Sequence, residues 1–349
     1  MGPFLTFLTI FHFIFVYFHD FPPSLSPACP FGPRCATIIK TRTEGVDKLR
    51  YLEFPVSPAE GGRRVDAILR SHGLSTSAIR RAKHRPRGLL VDGEDIYTSY
   101  LVHPGQVVAI LADDVRSSQI VPADGPVDIL YEDEDLLVVD KPAGLTVHPC
   151  AGNWDDSLGA RLVHYYQSRG LDADFHPVHR LDKGTSGLMV VARHPAAQHA
   201  LTAALHSSAF QRTYLALCEG TPSPAAGVID APLGRTEDSF IRQCVRPDGK
   251  PARTHYEVVE EGAPFSLVRL VLETGRTHQI RVHMAHIGHP LAGDFLYGTE
   301  DPDLIARPAL HSHQLTFLQP FTGEELTFTS PLPQDMEELI HPTRRDTIC

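Results

Sequence analysis

Between His179 and Ala192 the chain reads His179-Arg180-Leu181-Asp182-Lys183-Gly184-Thr185-Ser186-Gly187-Leu188-Met189-Val190-Val191-Ala192. Turn formers crowd its middle, and the unbroken apolar run from Leu188 to Ala192 reads as a buried strand. A buried strand needs a core around it, and the composition (42% hydrophobic, 21% charged) is that of an ordinary globular chain able to supply one. Asp182 sits at the mouth of that strand with Arg180 two residues before it and Lys183 directly after it. A carboxylate in that place is aimed into a cleft and held ionised by a neighbouring cation.

The length, 349 residues, predicts about two domains. Charge divides the chain in the same way. Between Lys40 and Arg87 there are 12 Lys and Arg against 5 Asp and Glu, although the whole chain carries a net charge of −10. A basic module on an acidic body suits a protein that docks RNA through one face, and a merely solvated basic helix is the plainer alternative. The cysteines (Cys29, Cys35, Cys150, Cys218, Cys244 and Cys349) include no CxxC pair. They read as isolated reduced thiols, which excludes a disulfide framework and a cysteine zinc site.

Phe4 to Phe18 is almost wholly apolar, yet the first Lys or Arg is Arg34. That lacks the positive start of a secretory signal, and it is short of the ~20 apolar residues of a spanning helix. Met1-Gly2-Pro3-Phe4-Leu5-Thr6 fits a myristoylation pattern only formally. Residues 1–45 are expected to be disordered or a mis-assigned extension, with an N-terminal anchor as the alternative.

Residues 60–112 are expected to form a small unit. Val65, Ile68 and Leu69 have helical spacing, and Ser75 to Ser77 offer N-caps for a helix over Ala78–Lys83 that carries Arg80, Arg81 and Lys83. A strand with an Asp92-Gly93 turn follows, and Val107 to Ile110 supplies another. Residues 113–126 read as a linker. From 127 to 340 helical patterns (Asp156–Gln167, Ala196–Leu205) are scattered among strands (Leu136–Val139, Thr213–Cys218, His255–Val259, Leu267–Leu272). Irregular interspersion predicts an α+β body with a mixed, mostly antiparallel sheet and a central cleft, not a doubly wound fold.

His283, His286 and His289 invite a metal reading, with a metal-dependent hydrolase as the function. Three-residue spacing on a helix sweeps around the axis, however, and no carboxylate or cysteine completes a set. No metal is expected.

The segment His179–Ala192 resembles the H-R-L-D-x-x-T-S-G-L-L signature of the RluA-type pseudouridine synthases. Gly275-Arg276-Thr277-His278-Gln279-Ile280-Arg281-Val282-His283 resembles the same family's G-R-T-H-Q-I-R-V-H segment, and Arg212-Thr213-Tyr214-Leu215-Ala216 its K-x-Y-L-A segment. Lys141-Pro142-Ala143-Gly144 through His148-Pro149 matches its K-P-x-G-x-x-x-H-P pattern, and Arg307-Pro308-Ala309-Leu310-His311-Ser312 continues the likeness. The basic N-terminal unit resembles an S4 RNA-binding domain, for which a small αβ module without a ligand is the alternative.

The resemblance implies isomerisation of uridine to pseudouridine in structured RNA, chiefly large-subunit ribosomal RNA, by a cytoplasmic enzyme. It implies no cofactor, membrane or protein partner. Asp182 would be the nucleophile. Arg281 would form a bidentate pair with it at the pocket floor, and Tyr214 would stack on the uracil and assist proton transfer. Arg180 would fill the gap left by the extruded base. His179, Thr185, His148, Arg276, His278 and Gln279 would contact the substrate, and Arg80, Arg81 and Lys83 would dock RNA. Departures from the family's ribosomal type, at Cys150 and at Trp154-Asp155-Asp156, bear on the RNA target and not on the chemistry. The rival reading is an RNA-binding assembly factor that has lost catalysis. It would lack the nucleophile, the Tyr or the Arg, and all three are present.

Overall fold

The computed structural model of the protein describes residues 40–44, 49–112, 119–150, 154–171 and 173–341. The basic N-terminal unit runs β1 (Lys40–Glu44), β2 (Leu49–Pro55), α1 (Val65–Ser71), α2 (Thr76–Ala82), β3 (Leu89–Val91), β4 (Glu94–Asp95) and β5 (Val107–Leu111), its sheet ordered β1-β2-β5-β3-β4. Ser75 caps α2 by accepting the Ala78 N–H at 3.1 Å. Asp92 and Gly93 take φ of 52° and 89° in the hairpin between β3 and β4, the left-handed pair that a tight two-residue turn demands. Val65, Ile68 and Leu69 of α1 and Ile79 of α2 pack with Leu52, Phe54 and Val108 of the sheet into one core cluster.

The expectation of a structureless segment through residue 45 is corrected at its end. Lys40–Glu44 pairs antiparallel with β2, Lys40 opposite Glu53 and Glu44 opposite Leu49. The strand is Lys-Thr-Arg-Thr-Glu, without apolar alternation to signal it. Residues 1–39 lie outside the described residues, as do 113–118 of the expected linker, and 119–126 form neither helix nor strand. Among the described residues no helix is long and apolar enough to cross a membrane.

The larger body contains β6 (Asp128–Glu132), β7 (Leu136–Lys141), α3 (Leu158–Ser168), β8 (His176–Pro177), β9 (Ser186–Ala192), α4 (Pro195–Ala204) and β10 (Phe210–Glu219). It continues with β11 (Ala226–Asp230), β12 (Leu233–Arg235), β13 (Gln243–Val245), β14 (Arg253–Glu260), β15 (Phe265–Leu272), α5 (Gln279–His286), β16 (Leu310–Leu318), β17 (Glu325–Thr329) and α6 (Gln334–Ile340). One sheet runs β11-β14-β15-β10-β16-β9-β7-β6, with β17 added to β16 and β8 to β9. Among the described residues every strand pairing in it is antiparallel except β9 with β16, so the mixed, mostly antiparallel sheet is as expected. Every residue of β9 is buried, as its apolar run requires.

The parallel seam between β9 and β16 positions the site. His311 lies opposite Ser186 and Ser312 opposite Gly187, so the turn carrying Asp182 meets the start of β16. Gly187 has φ of 107°, and a Cβ there would lie 2.3 Å from the Ser312 carbonyl oxygen, so only glycine fits. Tyr214 sits at the bulge where β10 shifts register against β16.

Two buried histidines flank this seam. Burial pushes His179 down to about 3 and His311 down to about 4. His179 Nε2 accepts the Val190 N–H at 3.3 Å, which requires the neutral ring, and His311 Nδ1 lies 3.0 Å from Ser186 Oγ. Unfolding returns both rings to about 6.5. Below that pH the unfolded chain takes up protons that the folded chain refuses, so stability falls as pH drops from about 6.5 toward 4. His311 contributes up to about 3 kcal/mol of that loss, at ~1.36 kcal/mol per pH unit. Urea midpoints measured from pH 7 to pH 4 should therefore fall less steeply for His311→Asn than for the wild-type protein; parallel slopes would contradict the assignment.

Candidate active site

The seam opens into a cavity of about 380 Å³ lined by His148, His179, Arg180, Asp182, Thr185, Arg212, Tyr214, Arg276, His278, Gln279 and Arg281 among others. Residues scattered from 148 to 281 in sequence thus converge on one space. Asp182 comes from the turn before β9, closed by the Thr185 N–H on the Asp182 carbonyl at 3.1 Å.

Arg281, on α5, faces Asp182 with Nη1 3.6 Å from Oδ2, and the two side chains are 4% and 22% exposed. The expected bidentate pair between them is corrected. The fork of Arg281 is taken by Asp294, with Nε donating to Oδ2 at 2.7 Å and Nη2 to Oδ1 at 2.6 Å. Asp294 is completely buried and also accepts the Leu296 and Tyr297 N–H groups. The bidentate grip fixes the guanidinium plane, and only Nη1 is turned to Asp182. Phe295 and Tyr297 add aromatic faces 5.7 and 5.1 Å from the guanidinium carbon.

His278 precedes α5 in the left-handed conformation, φ 56° and ψ 21°. That uncommon backbone brings Nε2 to 3.9 Å from the same Asp182 oxygen while Nδ1 meets the Tyr297 hydroxyl at 2.8 Å. Burial lowers the His278 pKa, with Asp182 pulling it back up and Arg281 lowering it further. Tyr214 is buried, and its hydroxyl pKa is raised by burial first, with Arg212 opposing and Asp182 adding to the rise.

The other sequence candidates divide into two groups. Arg180 and His148 are exposed at the cavity mouth. Thr185 and Arg276 line the wall, Arg276 with its Nε on the Pro251 carbonyl at 3.0 Å. Gln279 lines it too, but its amide is occupied by protein. Nε2 donates to the Arg253 carbonyl and Thr254 Oγ1, while Oε1 accepts from Thr274 Oγ1 and the Arg276 N–H. His179 likewise has Nε2 committed to β9. Arg80, Arg81 and Lys83 are exposed and lie away from this cavity, on α2 and just past its end. Arg80 and Arg81 border a second cavity, of about 550 Å³, between α2 and the start of α4.

The histidine cluster is dispersed. His283 is buried, with Nδ1 2.9 Å from Thr254 Oγ1 and Nε2 2.9 Å from the Ala231 carbonyl, while His286 is exposed. Among the described residues no group of three His, Cys, Asp or Glu side chains could hold a metal ion.

Sequence reasoning missed Asp294, Tyr297 and the burial of Lys141. Lys141 is fully buried and donates to the carbonyls of Pro142 at 2.8 Å, Leu145 at 2.9 Å and Lys183 at 3.4 Å. Burial pushes its ammonium down to about 7, and Asp182 opposes that fall. The signal for Lys141 was present, since a Lys that ends an apolar strand and precedes Pro-Ala-Gly has little room to reach solvent. Asp294 and Tyr297 fall in the stretch from His283 to Gly298, which continues the resemblance to the family, but nothing local marks Asp294 as the partner of Arg281.

Comparison with known proteins points to one family. Residues 135–286 match the RNA pseudouridylate synthase family. An uncharacterized RNA pseudouridine synthase of Bacillus subtilis, YjbO, is 40% identical over 269 residues, which cover 77% of this chain and 95% of that protein. The ribosomal large subunit pseudouridine synthase D of Escherichia coli is 44% identical over 255 residues, covering 69% of this chain and 78% of its own. The solved structure of human RNA Pseudouridylate Synthase Domain Containing 1 superimposes with a TM-score of 0.50 at 28% identity, covering 63% of this chain and 95% of that one. The chain belongs to the RluA-type RNA pseudouridine synthases and is an enzyme of that family.

Proposed function

We propose that this enzyme converts uridine to pseudouridine in large-subunit ribosomal RNA, with Asp182 as the nucleophile and without a cofactor. The observation that carries the reading is the placement of the Asp182 carboxylate in a cavity of about 380 Å³, facing Arg281 at 3.6 Å beside the buried Tyr214. The likeness to the ribosomal large subunit pseudouridine synthase D proteins supports the choice of RNA.

The reaction breaks the N1–C1′ bond, turns the uracil and joins C5 to C1′. The C5 proton leaves and N1 gains one, so nothing external is consumed. The base must first leave its stack, at a cost of a few kcal/mol. Arg180, exposed at the mouth, offsets part of that by occupying the gap and meeting phosphate. Asp182 then attacks the ribose or the ring, or assists glycosidic cleavage, and the geometry is compatible with all three routes. Tyr214 stacks on the freed uracil and serves proton transfer.

Ribosomal RNA transcribed with 5-tritiated uridine tests the proposal, because the C5 hydrogen must be released. Purified protein should liberate tritium and create carbodiimide-dependent reverse-transcription stops. Tight RNA binding with no tritium release would favour the non-catalytic assembly factor.

The N-terminal unit, read as an S4-like module, is proposed to dock the RNA through phosphates. Arg80, Arg81 and Lys83 all project into solvent. Changing the three to Ala should weaken RNA binding and reduce the slope of log K against log salt by ~1 for every phosphate that is no longer neutralised. A slope equal to that of the wild type would move the docking face elsewhere.

A further inference from the structure

The structure assigns to the C-terminal helix α6 a part in catalysis: through Asp335 and Arg307 it holds the main chain of the turn that carries Asp182. The inference rests on the proposed role of Asp182 only for its catalytic consequence.

Arg307 is buried, 9% exposed, and reaches three segments at once. Its Nε donates to Asp335 Oδ2 at 2.6 Å and its Nη2 to Oδ1 at 2.7 Å. Its Nη1 points the other way, toward the carbonyls of Gly184 at 3.3 Å, Pro308 at 3.2 Å and Leu310 at 3.2 Å. Gly184 lies two residues beyond Asp182, and Pro308 and Leu310 lead into β16 at the parallel seam. A Cβ built on Gly184 would stand 3.0 Å from Pro308 Cδ, so the turn is pressed against the strand entrance that Arg307 also grips.

A guanidinium held by one edge cannot swing, so the Asp335 carboxylate decides where Nη1 points. The turn is also held from the other side. The Lys183 carbonyl accepts the Gly144 N–H at 2.8 Å and Lys141 Nζ at 3.4 Å. Two buried cations therefore grip consecutive carbonyls, of Lys183 and Gly184, just after the nucleophile.

The Asp335 side chain is 45% exposed, so water screens its charge, and Asn in its place still offers the buried Arg307 guanidinium a carbonyl oxygen to donate to, which limits the loss of global stability. The helix has its own anchor in Met336, which is fully buried among Leu217, Ala292, Ile305 and Ala309. Loss of the Asp335 charge should thus loosen the turn without undocking α6, and a displacement of ~1 Å at a reacting group can lower a rate by ~100-fold.

The test uses the full chain carrying Asp335→Asn, with Arg307→Lys and Arg307→Met beside it. Asp335→Asn should lower the single-turnover rate of pseudouridine formation by ~10-fold or more, with RNA affinity and Tm near wild type. Arg307→Lys should keep more rate than Arg307→Met, because an ammonium can still reach the carbonyls. Amide hydrogen exchange reads the turn without reference to activity. In Asp335→Asn the Thr185 amide should exchange faster while α6 stays protected. An unchanged rate, a rate loss matched by an equal loss of RNA affinity, or unaltered exchange at Thr185 would overturn the inference. Inactive wild-type protein would instead overturn the proposed function, and the exchange experiment would still decide the role of Asp335.

Discussion

Asp182→Asn is expected to fold, to bind RNA with wild-type affinity and to release no tritium from 5-tritiated uridine in that RNA. Loss of a sole nucleophile lowers a rate by on the order of 10⁴-fold or more. Asn keeps the shape of the side chain and removes only the charge. That removal does not strand Arg281, which retains both of its bonds to Asp294, and Lys141 can shed its proton and stay hydrogen-bonded. A Tm within a few degrees of wild type should therefore accompany the loss of activity. Pseudouridine stops that persist when the variant is the sole copy in cells would remove Asp182 from the mechanism.

Asp294→Ala should have the largest effect on stability. Asp294 is completely buried and is the bidentate partner of a guanidinium that is itself 4% exposed. Its removal leaves a buried charge whose nearest remaining carboxylate, Asp182, approaches through one atom pair at 3.6 Å. Breaking one side of a buried pair costs about 3–5 kcal/mol, which lowers the Tm of a domain this size by roughly 10 °C. Activity should fall with it, since Nη1 loses the constraint that directs it at Asp182. Thermal unfolding followed by circular dichroism measures the first effect, and tritium release below the new transition measures the second. A Tm within about 2 °C of wild type would mean that Asp294 does not clamp Arg281 in solution.

The contrast between these two aspartates shows which parts of the site could be read in the sequence. Asp182 stands beside turn formers and ahead of a five-residue apolar run, and that local pattern is enough to place it at a strand mouth. Ser75, the Asp92-Gly93 turn and the helical spacing of Val65, Ile68 and Leu69 were legible for the same reason, being local rules obeyed locally. The partner of Arg281 was not legible. A long-range contact with Asp182 was expected to use the whole fork, but α5 turns that fork toward Asp294, 13 residues further along. Gln279 does line the cavity, but the bonds that occupy its amide, to Arg253, Thr254, Thr274 and Arg276, were not legible, because such contacts leave no periodic trace. β1 escaped notice because backbone pairing, not side-chain alternation, makes it a strand.

The β9–β16 seam has a consequence for synthesis. Ser186 and His311 are 125 residues apart, and their pairing is what brings the Asp182 turn against Pro308. A growing polypeptide exposes its basic N-terminal unit and the Asp182 segment long before β16 leaves the ribosomal tunnel. An incomplete chain therefore carries the Asp182 segment without the strand that seats it, and the turn takes its place only after β16 has emerged.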